Sequence, residues 1–281
     1  MGSLVYGHPQ NHTTGAFRPS LVPSVSVNAY DPDTQVFLTA SGITDPPQQA
    51  AITTLVLDLK STGIWPKMVA IYPFVGGSSS AHSVNLKSPG TYDITWAGTV
   101  THSANGVQGN GTNGRGKTGL VPYTALTQHS CHISAYCRSS NVNSGIDMGA
   151  WDGNRTITTS IRYTGDIYYH NCNDSNFGNT TTVTNAQGFW VGSRTGSAIT
   201  DLVAYKNGTA ISSTGIVSNV GYDHPTVEFN LLALGLSGGT GGYFSDRQFA
   251  FMSVGSGLTS TEVSNLYTLV QAYQTTLGRQ V

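Results

Sequence analysis

The chain has 281 residues, with 34 glycines, 10% charged residues, 13 Lys plus Arg against 14 Asp plus Glu, and a net charge of -1. No basic excess is present to neutralise nucleic-acid phosphates, and a chain 38% hydrophobic and 10% aromatic is too apolar to be disordered. No apolar run reaches the ~20 residues of a membrane-spanning helix.

In chain order, residues 1–35 come first, with Pro9, Pro19, Pro23 and Asp31-Pro32 and little periodicity, the composition of an extended arm. A helix is predicted next. Asp45 suits the cap, Pro46 the first helical position, and Ile52, Leu55, Val56 and Leu59 recur on one face up to a stop at Gly63. Beyond it the period changes to two. Tyr92–Trp96, Cys131–Cys137, Thr156–Tyr163, Asp166–His170, Gly188–Ser193, Val227–Leu236 and Gln248–Val254 read as strands, and Asn207-Gly208 as a tight hairpin turn. The chain closes on a second helix. Thr259–Glu262 forms a capping box, and Val263, Leu266, Tyr267, Val270, Tyr273 and Leu277 form the apolar stripe. Many short strands with Gly- and Asn-rich turns predict a mainly β protein, an antiparallel β-sandwich or jelly roll, with an N-proximal amphipathic helix and a C-terminal helix.

Chemistry is sparser than the fold. Gly111–Thr118 spells the G-x-x-x-x-G-K-T phosphate loop, yet that mechanism needs a buried strand before it and a helix after it. The preceding residues are polar, and Gly119 and Pro122 oppose a helix, so a surface loop is expected. His129, Cys131, His132 and Cys137 look like metal ligands, but in a strand His132 points away from the other three, and their face continues through Ile133 and Ala135 as core. Three cysteines, an odd number, cannot close a full disulfide framework.

Glycoside hydrolysis needs two carboxylates about the scissile bond. The chain has two glutamates, Glu228 and Glu262, in a strand and a helix cap. Asp147, Asp152, Asp166 and Asp174 have no spacing that marks an acid pair. No G-x-S-x-G elbow occurs. No enzyme is expected. No cofactor is implied either, and a structural calcium held by Asp and backbone oxygens would leave no readable spacing. The remaining signal is aromatic and polar. Trp151, Asp152, Tyr168, Tyr169 and Asn173 are the candidate carbohydrate-binding residues, within a stretch that also holds Tyr163, His170, Asn171 and Asn176. Ring faces stack on sugar C–H groups while amides and carboxylates bond the hydroxyls. Neighbours in a strand point oppositely, so one of Tyr168 and Tyr169 must face the core.

Five stretches carry a family resemblance: Phe37–Asp45, Met68–Gly77, Asn110–Gly114, Phe244–Phe251 and Gln274–Arg279. With them the chain, from residue 36 to 281, resembles bacteriophage-associated proteins with a concanavalin A-like lectin/glucanase jelly roll. The Asn207-Gly208 hairpin is also similar to that of laminin G-like domains. The resemblance implies a non-enzymatic structural component of a phage virion, a capsid-surface decoration, head fibre or tail protein, assembled in the host bacterial cytoplasm. Residues 1–35 would contact other virion proteins, and the jelly roll of residues 36–281 would form a homo-oligomer, a trimer being one symmetric arrangement. The alternative function is a receptor- or glycan-binding lectin module that adheres to host polysaccharide.

Overall fold

The computed structural model describes residues 1–2, 30–174, 179–211 and 223–281. Most of the expected arm lies outside the described residues, as do Asn176 and the side chain of Asp174.

Two sheets form the molecule. Among the described residues the first runs, edge to edge, Thr209–Ile211, Leu202–Lys206, Gly188–Arg194, Cys131–Cys137, Gln248–Gly255, Gly106–Gly109 and Val100–Ser103, with Met68–Tyr72 also paired to Gln248–Gly255. The second runs Thr180–Thr182, Ile167–Asp174, Thr156–Tyr163, Met148–Trp151, Asn230–Leu231, Arg115–Lys117 and Thr95–Ala97. Leu234–Leu236 lies parallel to Met148–Trp151 and pairs antiparallel with Thr240–Gly242; the other ladders are antiparallel. The expected β-sandwich is observed.

Alternation decides what fills each side of the first sheet. Cys131, Ile133, Ala135 and Cys137 face the second sheet and, with Trp190 of their own sheet, meet Met148, Ile157, Ile161 and Tyr168 in one core. Tyr136, Phe189, Val191 and Phe251 point the other way, onto the helices, in a second core. Covered on both faces, Cys131–Cys137 and Gly188–Arg194 are buried at every position. The three cysteines are free thiols inside the sandwich, and burial pushes that of Cys137 up to about 12.

The helix layer follows its sequence signals. Pro46–Ser61 is capped by the Asp45 carboxylate, which accepts from the Gln48 N–H, and its predicted stripe is buried. Ser260–Thr276 opens on the predicted capping box. One helix, Pro32–Ser41, was not expected. It starts inside the stretch read as an arm, capped by Asp31, and Lys60 pairs with Asp31 at 2.7 Å and Asp33 at 2.6 Å. Its buried positions are Thr34, Phe37, Leu38 and Ser41, so two hydroxyl residues break the apolar rhythm that would announce it. Among the described residues no helix is long and apolar enough to cross a membrane.

Departures among the strands have local causes. Tyr92 has φ +60°, which delays the Tyr92–Trp96 strand to Thr95–Ala97. Leu232, at φ +61°, splits Val227–Leu236 into two short strands. The hairpin forms as expected, with Asn207 and Gly208 at φ +50° and +74° and the Asn207 side chain accepting from the Phe189 N–H at 2.8 Å. The phosphate-loop pattern does not open a helix: Arg115–Lys117 is a strand, the next helical turn is the four-residue Pro122–Ala125, and Asn110 Oδ1 gathers the N–H groups of Thr112, Asn113 and Gly114.

Candidate functional site

The proposed carbohydrate residues do not form one site. Tyr168 is wholly buried between the sheets, its ring centroid 4.7 Å from that of Trp190, and burial pushes its phenol up. That removes it from any ligand surface. Asn173 is also buried, with φ +64° and its Nδ2 3.2 Å from His129 Nδ1. Asp152 is occupied by its own turn. Its carboxylate accepts from the N–H groups of Asn154, Arg155 and Thr226, from Arg155 Nε at 2.9 Å and from the Thr226 hydroxyl. Burial would raise its pKa, but the Thr226, Asn154 and Arg155 N–H groups and the Arg155 charge hold it below the usual carboxylate range.

Trp151 and Tyr169 share the outer face of the second sheet but not a location. Trp151 pairs with Thr156 at one end of Thr156–Tyr163, whereas Tyr169 pairs with Ser160, four residues along. At ~3.3 Å per residue the offset along the strand is roughly 13 Å, and the strand Thr156–Tyr163 lies between the two residues.

Tyr169 belongs instead to a cleft of about 160 Å³ lined by Ile146, Tyr163, Tyr169, Leu234 and Tyr243. The strand Thr156–Tyr163 carries one residue more than its partner between Ser160 and Tyr163, a β-bulge, and Arg162 within it has φ +116°. The extra residue turns Tyr163 from the inner to the outer face. There its ring meets that of Tyr169 edge to face, centroids 5.3 Å apart and planes at 87°. Tyr243, 54% exposed and at φ +51°, forms the opposite lip after Gly241-Gly242. Ile146 and Leu234 are buried at the floor. Among the described residues, none of the three phenol hydroxyls bonds another protein group.

Backbone contacts knit the segments that line the cleft. Asn143 bridges to Tyr163 and Ile146 to Phe244, and the Ile146 N–H donates to the Tyr243 carbonyl at 2.6 Å. Beneath them lies an ion pair fully excluded from water, Arg247 Nη1 to Asp147 Oδ1 at 2.8 Å. Asp147 also accepts from the Ser245 hydroxyl and the Ile161 N–H, both at 2.6 Å. Arg247 donates to the carbonyls of Asn141 and Arg162. One guanidinium thus ties the residue before Tyr163 to the residue after Ile146. Non-glycine residues with positive φ are costly and gather at ligand sites. Arg162, Asp166 and Tyr243 are three of the nine found among the described residues.

Tyr243, Ile146 and Leu234 were missed by sequence reasoning. The available signal was an aromatic residue closing the run Gly238-Gly239-Thr240-Gly241-Gly242. The metal reading is resolved on geometry: Cys131 and Cys137 are core, and His132 lies on the other face with Nδ1 donating to the Ser256 carbonyl at 2.6 Å. Among the described residues no group of three or more His, Cys, Asp or Glu stands ready for a metal.

No family model matches the chain, and no curated protein does. Among solved structures it is similar to a botulinum neurotoxin type C chain, from work on cell entry through interaction with two ganglioside molecules, at TM-score 0.50 and 10% identity. The match covers 75% of this chain and 53% of the toxin chain, so the chain spans about half the length of that neighbour. Domain 4 of AbnA, an extracellular GH43 arabinanase from Geobacillus stearothermophilus in complex with arabinotriose, gives TM-score 0.39 at 17% identity over 71% of this chain and 98% of that one. The Trypanosoma rangeli sialidase in complex with 2,3-difluorosialic acid gives 0.46 at 11% over 78% and 38%. The likeness to the toxin chain is one of fold, a two-sheet β-sandwich.

Proposed function

We propose that the chain is a glycan-binding module whose contact site is the cleft between Tyr163, Tyr169 and Tyr243. The observation that carries this reading is the cleft itself: two aromatic rings set at right angles, a third on the opposite lip, an aliphatic floor and three phenol hydroxyls that bond no other described residue. A sugar has the same two-sided chemistry, C–H faces for the rings and hydroxyls for the polar tips. The toxin that shares the fold interacts with gangliosides, which makes a sugar-bearing ligand the first to try.

Binding without hydrolysis is part of the proposal. Asp147 is paired with Arg247, Asp152 with Arg155, Asp166 with Arg162, Glu228 with Lys117 and Glu262 with Lys67. Each of these five has a basic partner, and the side chain of Asp174 lies outside the described residues. Display on a phage particle rests on the sequence resemblance, and its check is mass spectrometry of density-purified particles for stoichiometric amounts of the chain.

Retention on immobilised bacterial polysaccharides tests the site. Tyr169→Ala and Tyr243→Ala should each abolish retention, whereas Trp151→Ala, roughly 13 Å away along the strand direction and two strands across, should leave it intact. Retention that survives both cleft substitutions would overturn the reading.

A further inference from the structure

Resting on the cleft reading, we propose that the cleft takes one neutral pyranose ring bearing a methyl group, as in a 6-deoxyhexose or an N-acetylhexosamine. Size limits the occupant first. A buried cavity of about 150 Å³ holds one benzene ring, and this cleft measures about 160 Å³. It grips a single six-membered ring and not a run of sugars.

Charge limits it next. Among the described residues no Lys, Arg, Asp or Glu lines the cleft. The charges beside it cancel in pairs, Arg162 Nε to Asp166 Oδ1 at 2.7 Å and Arg247 to Asp147 beneath. A carboxylated or sulfated sugar would lose water without gaining a counter-charge, which is costly.

The floor supplies the third constraint. The floor residues carry aliphatic side chains, Ile146 4% exposed and Leu234 wholly buried, so the bottom of the cleft presents carbon chiefly through Ile146. A hydroxyl pressed there would be stripped of its hydrogen bonds, whereas a methyl group gains by leaving water. The methyl therefore enters, and the ring hydroxyls turn out toward the phenols.

Saturation-transfer NMR on the full chain tests this with the methyl glycosides of L-rhamnose, N-acetyl-D-glucosamine, D-glucose and D-glucuronic acid. The first two should bind about fivefold or more tightly than the last two, with the strongest saturation on the C6 methyl or the acetyl methyl. Tyr169→Ala and the exposed-site variant Tyr243→Ala, each checked for an unchanged melt, should lose the signal. Glucose or glucuronate binding as well as rhamnoside, and failing in both variants, would overturn the ligand class and leave the cleft standing. Sugar binding that persists in both variants would overturn the cleft as well. Binding of none of the four, or of a proline-rich peptide in their place, would overturn both.

Discussion

Replacing Arg247 with Met removes a guanidinium that, like its partner carboxylate, has no exposed side-chain surface. Three donations are lost, to Asp147 at 2.8 Å, to the Asn141 carbonyl at 3.2 Å and to the Arg162 carbonyl. Asp147 keeps the Ser245 hydroxyl and the Ile161 N–H but loses its counter-charge. Breaking a buried pair from one side costs about 3–5 kcal/mol, and two carbonyls left without these donors push toward the upper end. Against a typical domain stability of about 5–15 kcal/mol, that is a third or more of the total.

Urea unfolding should show the loss as a lower midpoint at unchanged slope. The pair Asp147→Leu with Arg247→Met removes both charges and should recover much of the loss. Arg247→Met should also weaken sugar binding at temperatures where the variant is fully folded, because the carbonyl it releases adjoins Tyr163. A loss below about 1 kcal/mol would refute the claim that the pair holds the fold from a buried position. A full stability loss with unchanged sugar affinity would refute the claim that it positions the cleft.

Two further outcomes follow from other buried groups. Arg279 is 1% exposed and donates to Gln274 and to the carbonyls of Pro73, Phe74, Ala104 and Ala250, none of them a carboxylate. Arg279→Met should cost roughly 2–4 kcal/mol in carbonyls left unsatisfied and, since it lies at the end of the C-terminal helix, leave sugar affinity unchanged. His132 is neutral in the fold: burial, only partly opposed by its bond to the Ser256 carbonyl, lowers its pKa to about 4 from the ordinary 6.5. Between those values the unfolded chain takes up the proton and the folded chain does not, so stability is complete above pH 6.5 and falls as pH drops toward 4. The contribution is on the order of 3 kcal/mol. Thermal melts from pH 4.5 to 7.5 should show the fall, shallower in His132→Gln; an identical slope in the variant would refute it.

The fold was legible where one rule governed a whole segment. The cap and stripe of Pro46–Ser61, the capping box at Thr259, the alternation of Cys131–Cys137 and the Asn207-Gly208 turn each carry their instruction within a few residues. Pro32–Ser41 was not legible, because Thr34 and Ser41 sit where apolar residues would mark the buried face. The site was harder for a related reason. Strict period two through Ile157 and Ile161 sends Tyr163 inward, and the bulge that reverses it appears only in the register with Ile167–Asp174. Alternation alone also left Tyr168 and Tyr169 equivalent until Trp190 on the opposite sheet was seen to claim Tyr168. Tyr243 is 74 residues from Tyr169 in the chain, brought close by the Ile146 bridge and the Asp147–Arg247 pair. The cleft thus exists because the sheet breaks its own alternation at Arg162 and a buried ion pair holds that break in place. A strictly regular strand would place Tyr163 in the core and leave Tyr169 without its perpendicular ring.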